Sequence, residues 1–243
     1  MWLILAFCSA ALLGFYDVCK KHALSGNAVL PVLFLNTAIC SLLFLPFIIL
    51  SSYTGLLDSS SFYVEPCGWE QHRYILLKAC IMLSSWIFGY FAMKHLPITI
   101  VGPINATRPV MVLVGAMLVF GERLNVWQWA GVTLAIISFF LLKRSGKKEG
   151  VDFRHNKWIF SLILAAVLGA VSGLYDKYLM APPENGGVGL SRMVVQSWYN
   201  LYQLAMMGLT MLMIWWPTRK NSTPFTWKWS IIFISLFLSA ADF

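Results

Sequence analysis

The chemistry available to this 243-residue chain lies in the few polar side chains that interrupt its long apolar runs. Arg108 stands about eleven residues into the run 98–120, between Pro103 and Pro109. At such depth in a bilayer a guanidinium costs about 2.5–3.5 kcal/mol or more, so it needs a cavity, a ligand or a partner. Each proline lacks an N–H and frees a carbonyl one turn back. The spacing therefore predicts an interrupted helix beside a cation, which is a way to present charge to an anionic group. The competing reading is a structural arginine held by a carboxylate of the fold.

Asp17 and Asp176 are a second kind of candidate. An acid in an otherwise apolar helix could take up a proton when a cavity opens to one side and release it to the other. It could equally be a helix-end acid bonded to a neighbouring lysine, with Lys20, Lys21 and Lys177 close by. A third set, Asn36, Asn105, Asn200, Tyr16, Tyr175, Trp86 and Tyr90, combines directional amides with flat aromatic rings, the mixture that lines small-molecule cavities. Interhelical packing is the plainer role for any one of them. Asp242 stands where the first half of the chain has Ile87, so a charge breaks the internal symmetry there. Lys78 is close enough to the start of its segment to reach the interface.

Other chemistries find little support. His22, His72, His95 and His155 fall in or beside loops, and the chain has no Ser/His pair, HExxH or Gly-rich phosphate motif. An intramembrane enzyme would need such groups at depth. Cys8, Cys19, Cys40 and Cys80 lie in apolar segments and Cys67 in a loop, without metal-ligand spacing. The loop 51–73 carries Asp58, Glu65, Cys67, Glu70 and His72, irregularly spaced, and reads as a solvated loop. No catalytic residue, metal or cofactor is expected.

The elements that position these residues are membrane helices. The chain is 59% hydrophobic and 12% charged, against roughly 25% charged residues in an average soluble domain. There is too little polar side chain to cover a globule in water, so the bilayer is its solvent. The net charge of +8 comes in short clusters between apolar runs and marks topology, without the long basic face that nucleic acid requires. Apolar segments near 2–19, 29–50, 74–93, 98–120, 126–142, 158–180 and 193–216 are each long enough to cross a core of about 30 Å, and an eighth begins near Trp229. Most tryptophans sit at segment ends, where they anchor at the headgroups.

The first segment is written twice. LILAFCSAALLGFYD at 3–17 and LILAAVLGAVSGLYD at 162–176 share eight of fifteen positions, among them Gly14/Gly173, Tyr16/Tyr175 and Asp17/Asp176. FLSAADF at 237–243 aligns with MLSSWIF at 82–88, and Asn36 has a counterpart in Asn200. The expected organisation is a five-helix repeat at 1–143, a charged linker at 144–157 and a second, incomplete repeat at 158–243. An odd number of helices per repeat makes the second copy inverted, an architecture that builds alternating-access carriers. Twelve Lys and Arg fall in the loops after segments 1, 3, 5 and 7, and four (Arg73, Arg123, Lys177 and Arg192) in the others. The positive-inside rule then places the N-terminus outside.

The stretch GAMLVFGERLNVWQWAGVTLAIISFFLL at 115–142 closely resembles the signature of the EamA-type branch of the drug/metabolite transporter superfamily. Gly121, Glu122, Arg123 and Leu124 carry its turn, Trp127, Gln128 and Trp129 its helix entry, and Gly131 its opening glycine. The runs Ala-Thr-Arg-Pro at 106–109 and Tyr-Phe-Ala-Met-Lys-His-Leu-Pro at 90–97 resemble the family's passage from helix 3 to helix 4. The resemblance implies ten helices, both termini in the cytoplasm, and export or exchange of small metabolites through a central cavity without ATP hydrolysis.

The expected fold is thus an all-α integral membrane bundle of two inverted five-helix repeats, with about seven and a half of ten helices present. The expected function is a secondary active transporter moving a small metabolite or drug-like molecule by alternating access. A multi-pass place in the cell membrane, as in a bacterial inner membrane, goes with it. The expected partners are a small-molecule substrate and the lipid bilayer, with a second copy of the chain as a candidate and nucleic acid excluded. The rival readings are a non-transporting membrane partner protein and, behind it, an intramembrane enzyme.

Overall fold

A computed structural model describes residues 2–58, 60–121, 123–148, 155–220 and 222–242; for 2–6, 138–148 and 242 it describes the backbone alone. Glu122 of the signature, residues 149–154 of the charged linker and the Asp242 side chain lie outside the described residues. The described elements are helices: α1 (Trp2–Leu24), α2 (Val29–Tyr53), α3 (Trp69–His95), α4 (Ile98–Asn105), α5 (Arg108–Phe120), α6 (Val126–Lys148), α7 (Lys157–Met180), α8 (Arg192–Thr210), the single turn α9 (Trp216–Thr218) and α10 (Ser230–Asp242). A short 3-10 turn precedes α8, and a π-helical turn (Met211–Trp215) joins α8 to α9. Among the described residues no strand occurs.

Among the described residues, four stretches are long and apolar enough to cross a membrane: Val29–Tyr53, Trp69–His95, Ile98–Phe120 and Lys157–Met180. Val126–Ile137 and Ser230–Ala241 are shorter apolar helices. Helices outrun the apolar segments that announce them: α3 starts at Trp69, not near 74, and α6 continues to Lys148, past 143. Backbone hydrogen bonds carry a helix into polar sequence once it has nucleated. α8 is helical as expected but is not one of the four, because Gln196, Ser197, Asn200 and Gln203 dilute its apolarity.

The chain forms two compact units, with boundaries inside α3 and α7: 1–83 with 178–243, and 84–177. In the first unit α1 packs along α10, and α2 packs against both α8 and α10. Phe15 meets Phe237 at 5.7 Å between ring centroids, and Ser9 donates to the Ala241 carbonyl at 3.3 Å. The turn after α1 is fixed from both directions. Gly26 takes the left-handed conformation (φ 64°) that a side chain would resist. Lys228 then donates to the carbonyls of His22 and Ser25 at 2.9 and 2.6 Å, covering groups the helix end leaves open. Asn27, fully buried, accepts from the Thr226 N–H at 2.9 Å and donates to the Thr226 carbonyl at 2.7 Å. This two-point latch ties the start of α2 to the segment entering α10.

In the second unit α6 lies against α4 and α5. The Ser85 hydroxyl donates to the Ala165 carbonyl at 2.7 Å and Ser161 to the Phe88 carbonyl at 3.1 Å, seating α3 on α7. His95 and Trp158 stack at 3.7 Å, 2° from parallel.

Candidate functional site

The interruption expected in 98–120 is present. α4 ends at Asn105, Ala106 and Thr107 turn, and α5 starts with Arg108 as its first residue and Pro109 as its second. Pro103 cannot donate to the carbonyl of Thr99 nor Pro109 to that of Asn105, so the α-helical ladder has two gaps within seven residues. The Thr107 hydroxyl closes part of the break by donating to the Ile104 carbonyl at 2.7 Å. The half-buried Asn105 has its Oδ1 enclosed, with no hydrogen-bond partner among the described residues.

Where the Arg108 side chain goes is decided by a glycine. A Cβ placed on Gly169 of α7 would lie 3.2 Å from the Arg108 Cζ and 3.3 Å from its Nε and Nη1. One turn on, a Cβ on Gly173 would lie 3.1 Å from a Val112 methyl, and Leu174 presses against Gly115. Gly169 and Gly173, four apart, clear one face of α7 so that α5 can approach, as small residues do between membrane helices. The guanidinium thus lies flat on bare backbone. Trp86 and Tyr90 are buried one turn apart on α3, and Tyr175 and Asp176 are half-buried on α7.

The remaining candidates lie in the first unit. Asp17 pairs with Lys20 at 3.2 Å, and the Lys20 ammonium also donates to the Tyr16 hydroxyl at 3.4 Å and sits 4.5 Å from its ring centroid. Of the two roles open to Asp17, the geometry has it bonded to a neighbouring lysine. In the second copy the residue matching Lys20 is Leu179, fully buried, so this pair is not repeated. Asn36 is fully buried; its Oδ1 accepts from Ser235 at 3.0 Å and more distantly from Cys40. Its Nδ2 has no partner among the described residues. Asn200 donates to the Gln196 carbonyl at 2.8 Å, and its own carbonyl accepts from Ser41 at 2.8 Å. The two asparagines therefore serve separate contacts and do not bond each other.

One residue in this unit departs from its sequence reading and another escaped that reading altogether. Lys78 does not reach the interface; its side chain is buried, with Nζ 4.6 Å from the centroid of the Tyr199 ring of α8. α8 packed alongside closes the route that distance from the helix start had left open. Gln203, one turn beyond Tyr199, is fully buried, and neither amide atom has a hydrogen-bond partner among the described residues. The signal for it is periodic: Gln196, Asn200 and Gln203 recur at i, i+4 and i+7 and so share one face of α8.

That face leads to a cavity of about 340 Å³ at the start of α8, walled by Phe44, Phe62, Tyr63, Ser191, Arg192 and Gln196 among others. Ser191 caps α8 by accepting from the Val194 N–H at 3.4 Å. In the first turns of α3, which take in the end of the segment read as a loop, His72 meets Trp198 edge-on at 4.7 Å and bonds the Tyr202 hydroxyl at 3.0 Å, and Glu70 pairs with Arg73. Burial, aided by the charge of Glu65, pushes the Cys67 thiol above its ordinary range. That keeps it a thiol at neutral pH.

The described part of the chain thus combines an interrupted fourth segment with apolar helices of membrane length. No curated protein matches the chain. The profile of the EamA-like transporter family matches residues 1–144, more than half of the 243 residues. Members of that family are transporters, and this multi-pass, all-helical chain belongs to the EamA-like transporter family.

Proposed function

We propose that the protein is a secondary active carrier that moves a small metabolite or drug-like molecule across the cell membrane by alternating access, without ATP hydrolysis. The family makes it a membrane transporter of the drug/metabolite type; the mechanism and the class of solute are the reading offered here. The observation that carries it is the break between α4 and α5, with Arg108 opening α5 over the bare face of Gly169. A helix interrupted at membrane depth exposes backbone groups that a water-filled cavity or a solute can satisfy. It also frees a helix N-terminus whose dipole favours negative charge, and the guanidinium adds to that. The repetition of 3–17 at 162–176 supports a second half that could exchange roles with the first as the carrier turns over.

In this reading Asn105, Trp86, Tyr90 and Tyr175 contribute to solute contacts around Arg108, Tyr16, Asn36, Asn200 and Asp242 are candidates for solute contact in the other unit, and Asp17 and Asp176 are candidates for carrying a proton, Asp17 having its pair with Lys20 to give up first. The test is a thermal-stability survey of the purified protein against amino acids, nucleotides, sugars and cationic drugs. A solute that binds the folded state raises Tm by mass action. Arg108→Lys keeps the charge but loses the flat fork, so it should weaken that rise about tenfold in solute concentration (about 1.4 kcal/mol) while leaving insertion intact. An unchanged dose dependence would remove Arg108 from the site.

A further inference from the structure

The cavity at the start of α8 is built wholly from the first unit, and the Arg108 site makes no use of it. One of its walls is a loop that folds back along α2. The Tyr63 N–H donates to the Ser60 carbonyl at 3.1 Å, and the buried Val64 donates its N–H to the Ser51 hydroxyl at 3.0 Å. Phe62 stacks on Phe47 at 5.6 Å between ring centroids, 24° from parallel, and Phe47 meets Phe44 at 6.2 Å. The loop wall is therefore pinned to α2 at Ser51 and again one turn earlier, at Phe47. α8 supplies the facing wall with Ser191, Met193 and Gln196. The cavity thus has aromatic faces, from Phe44, Phe62 and Tyr63, and hydroxyl edges, from Ser61, Tyr63 and Ser191. Among the described residues none of these hydroxyls donates a hydrogen bond; Ser191 only accepts one, from the Val194 N–H.

We propose that this cavity binds an uncharged heteroaromatic molecule of one or two rings that carries a carbonyl or a similar hydrogen-bond acceptor. Its volume of about 340 Å³ is near the lower end of small-molecule sites, about 300–1,000 Å³, and so suits a ligand of that size. The three rings reward a flat partner, which they can meet face-on or edge-on. The hydroxyls have protons to give to an acceptor. An acyl chain would bury those hydroxyls without partners, which is costly. A cation would find no counter-charge, since no acid is among the residues lining the cavity. Arg192 stands at the wall but already has an interaction within the fold, so an anion finds no uncommitted cation there. The site stands apart from the carrier reading, because a transported solute and a ligand that only regulates would bind it alike.

The test uses soluble probes of one shape and different character. Nicotinamide is the neutral ring, nicotinate its anion and 1-methylnicotinamide its permanent cation; cyclohexanecarboxamide keeps the amide and loses the flat ring. Caffeine, neutral with two fused rings and two carbonyls, is the larger probe. Binding to the purified full chain is read by saturation-transfer difference NMR against empty micelles and titrated to a Kd. Nicotinamide or caffeine should bind, and the charged and saturated analogues should bind about tenfold more weakly than nicotinamide or not at all. Silence from both neutral rings, cyclohexanecarboxamide equal to nicotinamide, or a charged analogue bound as tightly as nicotinamide overturns the proposal.

Two substitutions place the binding in this cavity. Phe62→Ala removes a ring from the loop wall and should weaken the neutral probe about tenfold. Ser191→Asp keeps a side chain able to cap α8 and brings a carboxylate to the wall, so it should weaken nicotinamide and let 1-methylnicotinamide bind at least as well. An affinity that neither substitution moves overturns the proposal, and the probe comparison on the native chain decides even where a variant fails to fold. Binding of this pattern in a protein that moves no solute leaves the site standing and removes the carrier reading. Transport in a protein that binds neither neutral ring removes the site alone.

Discussion

Asp17 and Asp176 end the same repeated segment, and the residue three positions on differs between the two copies. Asp17 has Lys20 one turn on, and both lie largely out of solvent, with side-chain exposures of 22% and 8%. The matching position after Asp176 is Leu179. Removing one member of a mostly buried pair strands the other charge, so Asp17→Asn should destabilise the protein by about 3 kcal/mol. Adding Lys20→Leu, which copies the second half, should restore most of that loss, because the stranded ammonium is then gone. Thermal unfolding of the single and double variants checks this, and a double variant no better than the single one would contradict it. Lys78 teaches the complementary lesson. Its distance from the helix start could be read in sequence, but its burial is a property of the neighbour that packs over it.

Among the elements, the segment 98–120 was the most legible. Two prolines six residues apart (Pro103 and Pro109) remove two ladder hydrogen bonds, and the chain breaks between them, at Ala106 and Thr107. α8 was the least legible. Its apolar residues announce a spanning helix, while its amides, spaced for one face, point to an interior that is polar along one stripe. The parallel pairing of α2 with α10 was not legible either, because it depends on a contact 199 residues apart in sequence, Asn27 with Thr226. Asn27→Ala would remove both hydrogen bonds that the buried Asn27 side chain makes to the backbone of the exposed Thr226. A loss of about 1–2 kcal/mol is expected from the two bonds, together with faster proteolysis in the segment before α10. Unchanged cleavage there would show that the apolar faces of α2 and α10 suffice to hold them.

At the scale of the whole molecule, composition already required a bilayer, and repetition of the first helix already suggested two related halves. The family match covers 1–144; beyond it the sequence repeats the first helix, with the shared Gly-x-Tyr-Asp ending and the Asn36/Asn200 and Leu83/Leu238 correspondences. On the carrier reading proposed above, this transporter runs without ATP on the gradient of its own solute or of a coupled ion. The most direct measurement is counterflow in ATP-free proteoliposomes loaded with unlabelled small carboxylates, amino acids, nucleotides, sugars or cationic drugs. The account predicts transient, saturable accumulation of at least one labelled solute above its external concentration, and loss of that accumulation in Arg108→Ala. Correctly inserted protein that gives only protein-free leak across the whole panel would contradict it.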